Sequence, residues 1–543
     1  MNILKESRVW NGNKKWKILL FCIFCFAALF NLDVSPFKYI VPSCPFSECL
    51  NNQLDMDTYV YLYGGNLITK GLMPYRDYFD HKGPLVYLIM AAGIRIGRIA
   101  GVWLLQTCLL AVTSIFAFKT SRLIASQGAS ALATGLAILW YTQGKTGPET
   151  LSVPFLTITL FYFVRYLLNG DIKKGETFLT GCCFGIVALI KLNLTSLWMV
   201  FILVVTLTSL MKKEYFLLLC RAVVFLGGAT VVCAPVLFWL SAKGAFPDFI
   251  RDYWFYNLRE YGGKPSLLDY FLFFIPMTSR VGISIWINYF WFDLPALLLY
   301  VLLSARRQLP QKKLWIGMTV YLLISVLLIG MKGLFLCLEG CNSGCLYYYT
   351  FPLTAAYLPF FAVSFDFCLK LNSKLILVAT ALFLLLSVPV LRTFCIPVAK
   401  DWIKLHRAAQ VVPAANLNRF GFPIRTDRAM LDLAKWIRGN TEKDASICGA
   451  GPSLYWYADR LCASGNFFSR AQKSYEATFP RDGNGQLPEY VFERRRADAK
   501  LRYALKPWQD GEKCETTPEI ERTLVEEYAL IYQNECFDLY KHK

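Results

Sequence analysis

Leu85-Val86-Tyr87-Leu88-Ile89-Met90-Ala91-Ala92-Gly93-Ile94-Arg95-Ile96-Gly97-Arg98 is the stretch on which the membrane topology turns. Residues 85–94 are apolar enough for a short helix, yet Arg95 and Arg98 follow at once. Read as a span, this helix would reverse the side of every later loop. The lysine pairs further along would then face away from the cytoplasm, against the positive-inside rule. An interfacial or re-entrant helix on the outer surface keeps the pattern consistent. Residues 33–98 then form one long outer loop, and loops of that length are usually functional.

Outward from this loop, composition points to a membrane protein. The chain has 543 residues, of which 55% are hydrophobic and only 17% charged. A soluble domain would carry about a quarter charged residues. The apolar excess falls in blocks of roughly 15–25 residues, matching a hydrocarbon core of about 30 Å. Lys5, Arg8, Lys14, Lys15 and Lys17 precede the first block, 18–32, and place the N-terminus in the cytoplasm. It reads as a retained helix rather than a cleaved signal peptide. Further spans are expected at 99–118, 129–141, 151–168, 177–190, 194–210, 223–240, 283–303, 314–329, 348–365 and 375–391. Every second connection is short and basic, as at Lys119 and Arg122, Lys173 and Lys174, Lys212 and Lys213, and Arg306 and Arg307. The expected architecture is an α-helical polytopic membrane protein of about 11 transmembrane helices, residues 1–392. Residues 393–543 form an extracytoplasmic C-terminal domain. The net charge of +19 sits mostly in the cytoplasmic loops, so it argues for topology and membrane lipid, not nucleic acid.

The outer loop concentrates charge. It reads Leu54-Asp55-Met56-Asp57-Thr58-Tyr59, then Gly71-Leu72-Met73-Pro74-Tyr75-Arg76-Asp77-Tyr78-Phe79-Asp80-His81-Lys82-Gly83-Pro84. Charges beside hydrocarbon are costly and tend to mark function. A hydroxyl attacking a sugar carbon needs a base, which a carboxylate supplies. A lipid-linked sugar leaves a phosphate, whose charge Lys, Arg or a helix N-terminus can meet. Asp57 precedes an expected helix, 58–70, so its plainer reading is a helix cap. Asp55 and Asp57 form an Asp-x-Asp pair that could hold a divalent metal; no cofactor is otherwise indicated.

At this loop the sequence resembles the polytopic glycosyltransferases of the C-type fold, in the bacterial group that contains the lipid A aminoarabinose transferase and the protein O-mannosyltransferases. The resemblance is carried by Asp57, Gly71, Pro74, Tyr75, Asp77 and the run Phe79-Asp80-His81-Lys82-Gly83-Pro84. It implies a sugar donor on polyprenyl phosphate, Asp57 as catalytic base and Lys82 as a contact to donor phosphate. Glu149, in Thr146-Gly147-Pro148-Glu149, falls where a second acidic residue is expected. Its plainer reading is a carboxylate favoured by a helix dipole. Asp55 and Asp77 are further candidates for the base. Arg76, His81 and Lys191 extend the phosphate-binding set, and Asp80 and Tyr75 support it. Lys191 and Asn193 resemble a Lys-Pro-Asn site, with Leu192 in place of Pro. Tyr347-Tyr348-Tyr349 stands where relatives often carry His-Tyr.

The tail reads as a small α/β unit, with a helix at 428–440, a strand at 445–449 and a hairpin at 528–533 and 536–540. Outer cysteines such as Cys44 and Cys49 could pair, whereas Cys182 and Cys183 read as buried thiols. His81, His406 and His542 are too few for a His-rich zinc site, and no P-loop or nucleophile triad is present. The reading is an inverting glycosyltransferase of the inner (cytoplasmic) membrane. It would act on an envelope glycan, lipid or protein acceptor outside the cytoplasm. The alternative is a transporter or flippase for lipid-linked glycans, which would predict internal repeats and mid-span charges.

Overall fold

The computed structural model describes residues 14–32, 34–35, 56–142, 146–259, 312–325, 353–370, 424–443, 446–448, 452–462, 503–509, 512–513, 526, 528–533 and 537–543. The expected spans 283–303 and 375–391, Asp55, Cys44, Cys49 and Tyr347–349 lie outside them.

The membrane part is helical. Its elements are α1 (Lys14–Phe26), α2 (Met56–Thr69), α3 (Pro84–Arg122), α4 (Gln127–Tyr141), α5 (Pro148–Asn169), α6 (Lys174–Ile190), α7 (Ser196–Met211) and α8 (Tyr215–Ala242). A continuous helical segment follows, α-helical at Phe246–Phe249 and Tyr256–Arg259 and π-helical at Ile250–Phe255 between them, then α9 (Lys312–Ser325) and α10 (Leu353–Lys370). Among the described residues, α3, α5 and α8 are long and apolar enough to cross a membrane.

Residues 84–96 form the first limb of α3. That helix does not run straight. Gly97 (φ −174°, ψ 36°) and Arg98 (φ 54°) break it, and the chain reverses. Gly93 and Gly101 meet across the reversal: a Cβ on Gly101 would lie 2.0 Å from the Gly93 carbonyl oxygen.

Helix pairing uses small residues. In lipid no hydrophobic force pulls helices together, so close backbone approach does the work. Gly181 of α6 and Gly228 of α8 supply it; a Cβ on each would fall 2.1 Å from the Phe225 carbonyl and 2.2 Å from the Phe178 carbonyl, respectively. Gly227, next door, faces open space. Gly228→Ala is therefore expected to lower the melting temperature of the purified protein by the equivalent of about 1–3 kcal/mol. Gly227→Ala should not lower it, and equal melting of the two variants would contradict this packing. The core beyond this pair lies among α4, α5, α7, α9 and α10, around Leu156, Phe163, Trp198, Tyr321 and Phe360.

The expected span 223–240 begins earlier, at Tyr215. The added turns contain Arg221, which is buried and paired. Its guanidinium reaches Asp171 Oδ1 at 2.6 Å and Ser209 Oγ at 3.3 Å. Pairing of this kind allows a charge inside a helix bundle.

After the bundle come α11 (Ile424–Asn440), β1 (Ser446–Cys448), α12 (Pro452–Ala458), β2 (Leu461–Cys462), β3 (Tyr503–Gln509), β4 (Glu512–Lys513), β5 (Tyr528–Gln533) and β6 (Phe537–His542). The sheet order is β2-β1-β3-β6-β5, with β4 on β3. β5 and β6 pair antiparallel, as the hairpin reading expects. α12 rests on one face of α2. Tyr59 and Tyr457 share a hydroxyl hydrogen bond at 3.0 Å, Tyr63 stacks on Tyr455 at 5.4 Å, and Lys70 reaches Asp459 at 2.7 Å. Tyr59, Tyr63, Asn66 and Lys70 are spaced at helical intervals, so one face of α2 serves this contact.

Candidate active site

The site begins where α2 ends. Gly71, at φ 86°, takes the left-handed conformation that closes the helix. Its amide donates to Ile68, and that of Leu72 donates to Leu67, both at 3.0 Å. The turn that follows is tied by Asp77. Oδ2 of Asp77 accepts from the Met73 amide at 2.7 Å, and both its oxygens accept from Arg76 at 2.9 and 2.8 Å. Arg76 also donates to the Lys243 carbonyl at 2.6 Å. These two residues are thus engaged in holding the turn against the end of α8. Tyr75 is buried at φ 69° and donates to the Lys82 carbonyl at 2.6 Å. Burial, with Asp80 nearby, holds its phenol well above the ordinary range.

Gly83 then docks on the C-terminal end of α6. Its amide donates to the Ile190 carbonyl at 3.0 Å. A Cβ here would sit 1.9 Å from the Leu189 carbonyl oxygen, so only glycine fits. The contact sets Lys82 beside the chain end that carries Lys191. Both lysines are buried.

Lys191 pairs with Glu149, itself buried in the first turn of α5. That turn starts at Gly147, held in extended form while its amide donates to Thr150 Oγ1 at 3.2 Å. A Cβ on Gly147 would meet the Tyr61 ring at 3.1 Å. Tyr61 belongs to α2, one turn after Asp57, so both lie on the same side of that helix. Asp57 stands inside the first turn of α2, half-buried, rather than ahead of it as a cap. The structure therefore brings Glu149, Lys191 and the Lys82–Gly83 turn together where α5 and α6 meet, with Asp57 one helical turn before Tyr61, which packs at Gly147. Asp55, the other half of the Asp-x-Asp pair, lies outside the described residues.

Asp80 is fully buried. Its Oδ1 accepts from the Lys82 amide at 2.8 Å, and Oδ2 has no hydrogen-bond partner among the described residues. Burial pushes its pKa up to about 7, against the pull of Lys82. An unfolded aspartate titrates near 4. The folded protein therefore keeps a proton that the unfolded chain releases between these values. The associated stability is full at acid pH and is lost as pH rises through about 7. Asp80→Asn should accordingly melt above wild type at about pH 8 and no higher at about pH 5. Identical melting curves at both would remove the buried-carboxylate account.

Sequence reasoning missed residues 246–259. Asn257 donates to the His81 carbonyl at 2.7 Å. Tyr253 donates to the Ala188 carbonyl at 2.5 Å and accepts from the Leu192 amide at 2.9 Å. Leu192 can donate there because it is not a proline. Arg251 joins Asp248 at 2.7 Å and Asp252 at 3.0 Å. Burial raises Asp252 to about 7, offset by Arg251. The one signal was the charged pattern Asp248-x-x-Arg251-Asp252 directly after an apolar run.

Two crystal structures share this architecture over nearly their full length. One is ArnT from Cupriavidus metallidurans bound to undecaprenyl phosphate, at 12% identity and TM-score 0.54. The other is the same protein in the apo state, at 14% identity and TM-score 0.52. In both comparisons 97% of this chain and 98% of the other are covered. The fold is that of ArnT. ArnT is a lipid A aminoarabinose transferase of the C-type glycosyltransferase fold, so the resemblance read from the outer loop holds for the fold of the whole chain. Residues 37–294 match the family described as the competence-induced protein Ccs4 N-terminal domain. No curated protein matches the chain in sequence. An ArnT fold with several apolar helices makes the chain a membrane protein.

Proposed function

We propose that the chain is an integral membrane glycosyltransferase that moves a sugar from a polyprenyl-phosphate carrier to an envelope acceptor on the extracytoplasmic side. The observation that carries this is the Gly83 junction, which brings two buried lysines beside a buried carboxylate and within reach of α2. Buried cations are costly and are kept where carboxylates pair them, as Glu149 pairs Lys191, or where an anionic ligand is to be met. ArnT is known with undecaprenyl phosphate bound, which supports the donor class.

In the proposed reaction Asp57 takes the proton of the acceptor hydroxyl. The oxygen attacks the anomeric carbon from the face opposite the phosphate, and the bond to the phosphate oxygen breaks. Lys82 and Lys191 meet the charge that develops on the leaving phosphate. A single displacement inverts the anomeric centre. Glu149 holds Lys191 and is the second acidic group. Asp77 and Arg76 shape the turn, and Asp55 is a reserve candidate for the base. The accompanying topology is the eleven-span one, with a cytoplasmic N-terminus and residues 393–543 outside.

The test is transfer of labelled sugar from a panel of polyprenyl-phosphate sugars to envelope extract by purified, reconstituted protein. Wild type should transfer from at least one donor. Lys82→Met should raise the donor KM about tenfold or more, as expected for loss of a charge-assisted contact. An unchanged KM would remove Lys82 from the phosphate site.

A further inference from the structure

We propose that His81 is a positioning residue that aims the Lys82 ammonium, and that it does so only as a neutral imidazole. The inference rests on Lys82 being the donor-phosphate contact, and it reassigns His81 from binding phosphate to orienting the group that binds it.

Lys82 Nζ lies 2.5 Å from His81 Nε2, and both side chains are buried. An ammonium has donors and no lone pair to accept with. Nε2 must therefore accept, which puts the imidazole proton on Nδ1. Asp80 favours that tautomer: its Oδ1 lies 3.8 Å from Nδ1, too far for a hydrogen bond but near enough to attract the N–H dipole. The ring is also held from outside its own segment. It faces Tyr256 at 5.7 Å between centroids, and the His81 carbonyl accepts from Asn257. A fixed ring with a fixed tautomer offers the lysine one direction, as preorganised sites require.

Protonation would reverse this. An imidazolium donates at both nitrogens and cannot accept from Lys82. Two cations at this separation in a dry site repel, and the lysine would swing away. The titratable groups around this segment are Asp80 and Lys82 within it and Tyr75 from the preceding turn. Asp252, Tyr253 and Tyr256 approach from residues 246–259, and Lys191 with Glu149 from beyond Gly83.

The experiment measures binding of undecaprenyl phosphate to the full-length protein in nanodiscs at about pH 7.5 and about pH 5.5, on either side of an ordinary histidine. The lipid phosphate, Asp80 and Asp252 gain protons over the same range in every variant, so variants are compared with each other at each pH. His81→Gln keeps an acceptor where Nε2 stood and does not titrate. It should bind within about threefold of wild type at the higher pH and several-fold tighter than wild type at the lower. His81→Phe keeps a ring without an acceptor and should bind about tenfold more weakly at the higher pH. The proposal is overturned if His81→Gln and wild type lose affinity in parallel on acidification, and that comparison stands even if His81→Phe fails to fold. Lys82→Met separates the two layers. If it binds as wild type does, the phosphate role of Lys82 fails and this inference falls with it. If it binds weakly while His81→Phe binds normally, only the positioning role fails.

Discussion

Reconstituted protein carrying Asp57→Asn is expected to transfer sugar about 10²–10⁴-fold more slowly than wild type, the usual contribution of a positioned general base. Binding of undecaprenyl phosphate should be unchanged, because the proposed reaction assigns Asp57 to the acceptor hydroxyl and the lysines to the donor phosphate. The substitution keeps size and polarity and removes only basicity. Asp57 also lies in the first turn of α2, where its charge favours the helix dipole. That contribution is worth about 0.3–1 kcal/mol and would appear in stability, not in kcat. The helix itself is held from both sides, by Tyr87 and Met90 of α3 against Gly64 and Gly65, and by α12 on the opposite face. A stable variant with collapsed kcat and intact donor binding is thus the specific signature. Equal kcat would move the base to Glu149 first, since Asp77 already accepts from the Met73 amide and from Arg76.

Gly83→Ala is expected to reduce donor binding at least about tenfold and to lower thermal stability by about 1–3 kcal/mol or more. The added methyl would lie 1.9 Å from the Leu189 carbonyl oxygen and 2.7 Å from that of Ile190. Both obstacles are backbone, so no side chain can rotate out of the way. Either the turn withdraws from α6 or the end of α6 moves, and each motion parts Lys82 from Lys191. Binding titrations and melting curves read the two effects separately. Gly175→Ala is the control, since a Cβ there meets nothing within 4 Å. Gly83→Ala protein with wild-type binding would show that the junction does not set the lysine pair.

Much of the bundle was legible from alternating apolar runs and basic loops. The expected spans 129–141, 151–168, 177–190 and 194–210 lie within a few residues of α4, α5, α6 and α7. There the apolar run and the flanking charges agree. They disagree at Arg221, where a largely exposed carboxylate 50 residues away, Asp171, pairs with the guanidinium and makes a charge compatible with a helix interior. Local sequence carries no trace of such pairing. The same limit applies to the site. Lys82, Glu149 and Lys191 were visible singly, but the Glu149–Lys191 pair spans 42 residues of sequence. Gly83 read as one letter of a motif, and its reason emerges only from the α6 carbonyls it touches. Residues 246–259 were missed because the π-helical middle, Ile250–Phe255, breaks the 3.6-residue period of a short helix, and its charges read as solvated loop.

The fate of the donor tests the central claim most directly. Proteoliposomes containing the purified protein would be given a polyprenyl-phosphate sugar labelled in both the sugar and the lipid, together with envelope acceptor. The two labels are expected to separate, with free polyprenyl phosphate released and sugar joined to acceptor, and Asp57→Asn is expected to abolish the separation. Movement of intact donor across the bilayer, both labels together and with no cleavage, would contradict it and identify a carrier of lipid-linked sugars instead.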